Sequence, residues 1–307
     1  MLILATLSNG WYLFLILGFL MVSKLRVALI THEIDEFQDS NYLLRHLSRI
    51  WERDHIQIAI VKGVNQELPE ADIAILHTDI TVVGEDYIRL SNHYPLVING
   101  AVTDISKKVF SDLIVKRSDA YDGKVIVKTN ANFGGMRERK KKFNEGDWNS
   151  TIEIQRPWRR VEWMEEYPIF DSPSAVPSGV WRNDMLVVEK FLPEKNSQGE
   201  YLLKVWVFLG DQGIYYQSVS NEPVIKSRNL TRREFLDVND VPEAIREVRA
   251  RMGFDYGKFD FAIHEGKPVL YDVNRTPGGP QQTLKSETAE RSYQTLSAGL
   301  KSFANQL

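Results

Sequence analysis

The run Leu25 to Thr31 (LRVALIT) is short, apolar and β-branched, the pattern of a strand buried on both faces. After a polar stretch, Leu43, Leu44, Leu47, Ile50 and Trp51 repeat with a helical period, and Asp39 or Ser40 is placed to cap that helix. Further strand-like runs follow at Ile56 to Val61, Ala71 to His77 and Leu96 to Gly100. Strands alternating with helices predict a small parallel α/β unit with crossover connections over 25–100.

The texture changes from Asp104. A helix over DISKKVFSDLI leads to a strand at Lys124 to Lys128 and a glycine loop at Asn130 to Gly135. Met136 to Trp181 is polar and rich in Trp and Pro, with no sustained period, and reads as a long lid or connection. Strands return at Met185 to Leu192, Tyr201 to Leu209 and Gly213 to Ser220, the last two joined by a turn at Gly210-Asp211-Gln212-Gly213. A helix follows Pro242, then a hairpin pairs Lys258 to His264 with Lys267 to Asn274 around Glu265-Gly266. The tail, 281–306, reads as helical.

Composition alters this picture in two places. The 307 residues include no cysteine, which excludes a disulfide framework, a thiolate metal site and a Cys nucleophile. The first 23 residues carry no charge, and the first charge is Lys24. Two expectations are open for this leader, 1–24. It is either an anchor with Lys24 and Arg26 holding the remainder in the cytoplasm, or an extension upstream of a true start at Met21. A net charge of −3 gives no global argument for nucleic-acid binding, and none is expected.

The densest chemistry lies in Tyr256 to Gly279, YGKFDFAIHEGKPVLYDVNRTPGG. Residues two apart on a strand share a face, so Asp260, Asp272 and Asn274 can project together from the hairpin. Two carboxylates and an amide oxygen form a hard-oxygen set suited to Mg²⁺. Lys128 ends a strand just before Phe133-Gly134-Gly135, a loop whose glycines let backbone N–H groups approach phosphate oxygens. The six histidines show no ligand spacing, and neither a Walker loop nor a dinucleotide fingerprint is present.

With Asp260 followed by Asp272-Val273-Asn274-Arg275-Thr276-Pro277-Gly278, the segment resembles the ATP-grasp superfamily, in the form found in D-alanine:D-alanine ligases. Asp272 stands where Glu is usual, which shortens the reach by one methylene. The resemblance covers about 101–285. It implies a parallel α/β domain preceding a two-subdomain ATP-grasp fold, α+β in its C-terminal part, with boundaries at 25–100, 101–185 and 186–307. It also implies ATP and Mg²⁺, two ions, with Asp260, Asp272 and Asn274 as metal ligands.

For the nucleotide, the resemblance implies Lys108 or its neighbour Lys107, with Lys108 preferred, then Lys128, Phe133, Gly134 and Gly135, and a hinge at Glu189, Lys190, Phe191 and Leu192. Lys204, Arg228 and Arg275 are its implied phosphate- or substrate-facing cations. The basic run Arg137 to Lys142 reads as a solvated lid face. The implied activity is ligation of a carboxylate to an amine through an acylphosphate, in a cytoplasmic enzyme that can form a homo-oligomer and meets a membrane only if the leader is a real anchor. The rival readings are a kinase of small-molecule hydroxyls and a non-catalytic nucleotide-binding regulator.

Overall fold

The computed structural model describes residues 24–144, 167–279 and 287–307. The leader and the middle of the expected lid lie outside the described residues. Among those described, no helix is long and apolar enough to cross a membrane.

The first unit is a four-stranded parallel sheet in the order β2-β1-β3-β4, built from β1 (Arg26–Thr31), β2 (Gln57–Lys62), β3 (Ile73–His77) and β4 (Leu96–Ile98). Every residue of β3 is buried, the consequence of helices covering both faces. Helix α1 (Leu43–Arg53) buries Leu43, Leu44, Leu47, Ile50 and Trp51, the positions its period marks. The Trp51 indole donates to the Ser297 carbonyl at 2.9 Å, which ties α1 to the far end of the chain.

A three-stranded antiparallel sheet follows, with β5 (Val125–Thr129) between β6 (Ile169–Phe170) and β7 (Leu186–Lys190). The larger antiparallel sheet runs β11-β10-β9-β12-β13, with β8 (Glu194–Lys195) paired to β9. Its strands are β9 (Tyr201–Leu209), β10 (Gln212–Ser220), β11 (Leu230–Leu236), β12 (Tyr256–His264) and β13 (Lys267–Asn274). The fold is therefore mixed α/β, parallel at the start and antiparallel afterwards.

One local expectation is corrected, and two others gain detail. The helix expected over Asp104 to Ile114 is only Lys107–Phe110. Before it, the Asp104 carboxylate accepts from Ser106 N–H at 2.7 Å, and after it Ser111 is extended. β11 was not foreseen, because Leu230-Thr231-Arg232-Arg233-Glu234-Phe235-Leu236 lies at a sheet edge and its four consecutive polar residues break the apolar alternation. The tail forms two helices, Glu287–Ala298 and Lys301–Ala304. They part at Gly299, where a Cβ would meet the Leu209 carbonyl oxygen at 2.0 Å, so only glycine allows the tail to lie this close to β9.

The basic run is not a free solvated face. It opens a helix, Met136–Asn144, whose Arg137 donates to Asp79 at 2.7 Å and to the Tyr42 hydroxyl at 3.0 Å. Lys140 pairs with Glu36 at 3.0 Å, and Glu138 accepts from Thr81 N–H at 2.6 Å. These contacts pin the helix to the loops that leave the parallel strands.

Candidate active site

A cavity of about 720 Å³ lies where the two antiparallel sheets face each other. Its chemistry begins on β12 and β13. Asp260 is directly opposite Asp272, and Lys258 is opposite Asn274, so all four share one face of the hairpin. The register slips between Asp260 and Phe261, which leaves Tyr271 as the extra residue on β13. That bulge lets consecutive residues, Tyr271 and Asp272, both line the cavity, which a regular strand forbids.

Four lysines converge on this carboxylate pair. Lys258 reaches Asp260 at 2.8 Å, and the buried Lys107 reaches Asp272 at 3.1 Å. Lys128, from β5, pairs with Glu189 at 2.7 Å and lies 5.4 Å over the Tyr271 ring. Lys226 comes from the loop between β10 and β11 and lies 4.0 Å over the Tyr167 ring. Phe133 and Gly134 border the same cavity, and Phe133, Gly134 and Gly135 all take left-handed backbone angles (φ 47°, 66° and 72°). The non-glycine member, Phe133, is held in a conformation that bulky residues rarely adopt and stays 44% exposed at the cavity mouth.

The electrostatics follow from this crowding. Burial pushes the Asp260 carboxyl up, with Lys258 opposing and Asp272 adding to the shift. For Asp272, burial pushes the same way, but Lys107 and Lys258 outweigh it and hold the group below its ordinary value. Burial lowers the Lys226 ammonium to about 8, and Lys128 and Lys107 add to that effect against Asp272 and Asp260. The four lysines outnumber Asp260, Asp272 and Glu189, so the site has a surplus of positive charge aimed into a cavity. A polyanion relieves that repulsion.

Lys226 yields a prediction whose sign can be worked out. The folded state releases its proton near 8 and the unfolded state near 10.5, so the unfolded chain binds more protons between those values. Stability contributed by this group therefore rises as pH goes from 8 to 10.5. Lys226→Met removes the buried charge and is expected to raise the melting temperature at pH 7 by a few degrees. Polyphosphate affinity should fall about tenfold, a loss of about 1.4 kcal/mol. Wild-type affinity should also weaken as pH passes 8, and this inflection should be missing from the variant; calorimetry across pH 7 to 9.5 checks all three.

The carboxylates fit a hard cation in part. Asp260 has a buried oxygen, Oδ1, with no hydrogen-bond partner, and it faces the Asp272 position across the ladder. Two carboxylates supplemented by phosphate oxygens suffice for Mg²⁺. The Asn274 amide oxygen borders the same cavity and accepts from Thr276 N–H at 2.8 Å; the Thr276 hydroxyl gives its proton to Asp79 at 2.7 Å, so one Asn274 lone pair stays open to a cation.

Several other expected residues lie elsewhere. Lys107, not Lys108, enters the cavity; Lys108 turns outward to Asp184, 3.7 Å away. Lys204 sits on the opposite face of β9 from Val205, the residue paired with Asp260, and makes a short ion pair with Glu194. Arg228 is exposed in the turn Ser227–Asn229, and it is Lys226, two residues earlier, that lines the cavity. Arg275 is fully buried and donates to the carbonyls of Thr78 (3.1 Å), Val102 (2.6 Å), Thr81 (3.0 Å) and Ile80. It clamps the end of β13 to the first unit and does not border the cavity.

Of the hinge residues, Lys190, Phe191 and Leu192 border the cavity while Glu189 is fully buried behind Lys128. The N–H groups of Lys190 and Phe191 already donate to Leu113 and Lys124, each at 2.8 Å. Tyr271 donates its hydroxyl to the Leu192 carbonyl at 2.5 Å. Among the described residues, the Leu192 N–H therefore stands out as the hinge donor left for a ligand.

No protein-family model matches the chain, and no curated protein matches it. Solved structures do align along its length. The D-alanine:D-alanine ligase of Bacillus anthracis complexed with ATP is 14% identical, covering 92% of this chain and 99% of its own, with a TM-score of 0.48. A RimK domain protein, ATP-grasp, from Sphaerobacter thermophilus DSM 20745 is 12% identical over 91% of this chain and 98% of its own, with a TM-score of 0.45. The macrocyclase MdnC of Microcystis aeruginosa MRC, bound with precursor peptide MdnA, is 10% identical over 92% of this chain and 100% of its own, also at 0.45.

Proposed function

We propose that this chain is an ATP-grasp ligase that uses ATP to activate a carboxylate and join it to an amine. The observation that carries the reading is the convergence of Lys107, Lys128, Lys226 and Lys258 on the adjacent carboxylates Asp260 and Asp272, beneath a loop of left-handed backbone at Phe133 to Gly135. The lysine charge left over from Asp260, Asp272 and Glu189, together with a bound cation, suits a triphosphate, and the loop's backbone donors suit its oxygens. Asp260 and Asp272 would hold Mg²⁺, which supplies charge neutralisation at the phosphates when bound. The hinge at Lys190 to Leu192 would receive the purine.

The chain's own residues then position and neutralise, and no side-chain nucleophile is required. The substrate carboxylate oxygen forms a bond to the γ-phosphorus as the bond from phosphorus to the ADP oxygen breaks. The amine nitrogen next forms a bond to the acyl carbon, and phosphate leaves with the electron pair of its C–O bond while the amine proton passes to solvent. The test is product analysis on the full chain with MgATP and mixtures of carboxylates and amines. Phosphate and ADP released in equal amounts, and only when both an acid and an amine are present, are the expected result. A phosphorylated hydroxyl product would identify a kinase.

Rigidity of the loop gives another expected result. Gly135→Ala forces a side chain onto a φ of +72°, although its nearest contact, the Ala131 Cβ at 3.5 Å, is ordinary. Backbone strain of about 1 kcal/mol is expected to weaken ATP binding about fivefold with little change in melting temperature. Fluorescent-nucleotide titration checks the affinity.

A further inference from the structure

The sheet face that carries the carboxylates changes character across its width. Along one cross-strand row, Asp272 and Asp260 are followed by Val205 on β9, Tyr216 on β10 and Phe235 on β11. A parallel row runs from Asn274 and Lys258 to Val207 and Ile214. The cavity borders all of these residues, and its far wall is the helix Glu287–Ala298, through Tyr293 and Leu296. The hinge approaches at the opposite edge of the sheet, where the Tyr271 hydroxyl on β13 donates to Leu192. The polar carboxylate pair thus stands between the hinge and an apolar limb.

A triphosphate, its metal and its purine account for the lysines, Asp260, Asp272 and the hinge, and leave the limb without a role. Given the ligase reading, on which this inference rests, we infer that the limb seats the hydrocarbon part of the substrate acid, so that the substrate is a carboxylate bearing an extended apolar chain or aromatic group. Its carboxylate would lie at the lysine-rich end, beside Asp260 and Lys258, and its chain over Val205, Val207, Ile214 and Tyr216. Two strand spacings, about 9–10 Å, separate Asp260 from Tyr216, which accommodates roughly six to eight carbons. Leu203 and Ile214 are partly buried, border the cavity and pack against the core cluster that includes Val205, Val207 and Leu296, so each substitution reshapes the limb's wall and its melting temperature is read beside the titration. A small polar amino acid would leave these walls uncovered.

The experiment is calorimetric titration of the full chain with straight-chain carboxylates from acetate to decanoate, with and without Mg²⁺ and a non-hydrolysable ATP analogue. Affinity should rise about three- to fourfold per methylene until the limb is filled. Ile214→Ala should move the optimum to a longer chain and Leu203→Phe to a shorter one, with affinity for the ATP analogue unchanged within twofold. A flat series, or an optimum that neither variant moves, overturns the inference. Competition between the long acids and the ATP analogue also overturns it, because the limb would then seat the purine. If the analogue itself fails to bind, the ligase reading falls, while the acid series still decides whether the limb takes a hydrocarbon chain.

Discussion

Asp272→Asn will remove the magnesium-dependent part of ATP binding and lower turnover by about 10²–10³-fold, the loss expected when one preorganised charge at a phosphoryl-transfer site is neutralised. Asp272 faces Asp260 across the ladder and, among the described residues, is the ion-pair partner of the buried Lys107. The substitution therefore acts twice: it deletes a cation ligand and leaves an ammonium buried without its counter-charge. The second effect costs stability, about 1–3 kcal/mol, since Asp272 keeps 32% of its side chain open to solvent. Lys107→Met in the same chain separates the effects. The double variant should regain the stability and stay inactive, as read by melting temperature and phosphate release.

Arg275→Met should give the largest loss of stability in the molecule, about 3–5 kcal/mol. Its guanidinium reaches four carbonyls of the first unit, on Thr78, Ile80, Thr81 and Val102. Methionine fills much of the space and satisfies none of them. Burial pulls the arginine down to about 10 against the opposing charges of Asp79, Asp104 and Glu138, and the four carbonyls satisfy its donors. Arg275→Lys should recover little, because a single ammonium cannot reproduce the planar fork. The expected readout is a fall of about 10 °C in melting temperature. The variant should keep Mg²⁺-dependent ATP affinity below that temperature, which a phosphate-binding arginine would lose.

The parts of this site that follow strand alternation were legible in the chain. Asp260, Asp272 and Asn274 line the same cavity because residues two apart share a face, and Lys258 was available from the same rule as the i−2 neighbour of Asp260. Lys204 was misplaced by one position of that alternation, since which parity faces the cavity is set by pairing with β12 and not by β9 itself. Tyr271 depends on a bulge, and a bulge leaves no mark in hydrophobic pattern. Lys107 and Lys108 were separable only by the register of a helix that lasts one turn, Lys107–Phe110. Arg275 carries a charge that sequence reading assigns to ligand or solvent, whereas the close approach of the first unit's loops turns it into a clamp. Lys226 comes from a loop with no periodic signal, and only the tertiary fold brings it to Tyr167.

The most direct measurement is titration of the full chain with ATP in the presence and absence of Mg²⁺, alongside Asp260→Asn and Asp272→Asn. The account predicts that Mg²⁺ strengthens ATP binding at least tenfold in the native chain and that this enhancement is lost in both variants. Negligible ATP binding, or an affinity indifferent to Mg²⁺ and to both substitutions, would contradict it.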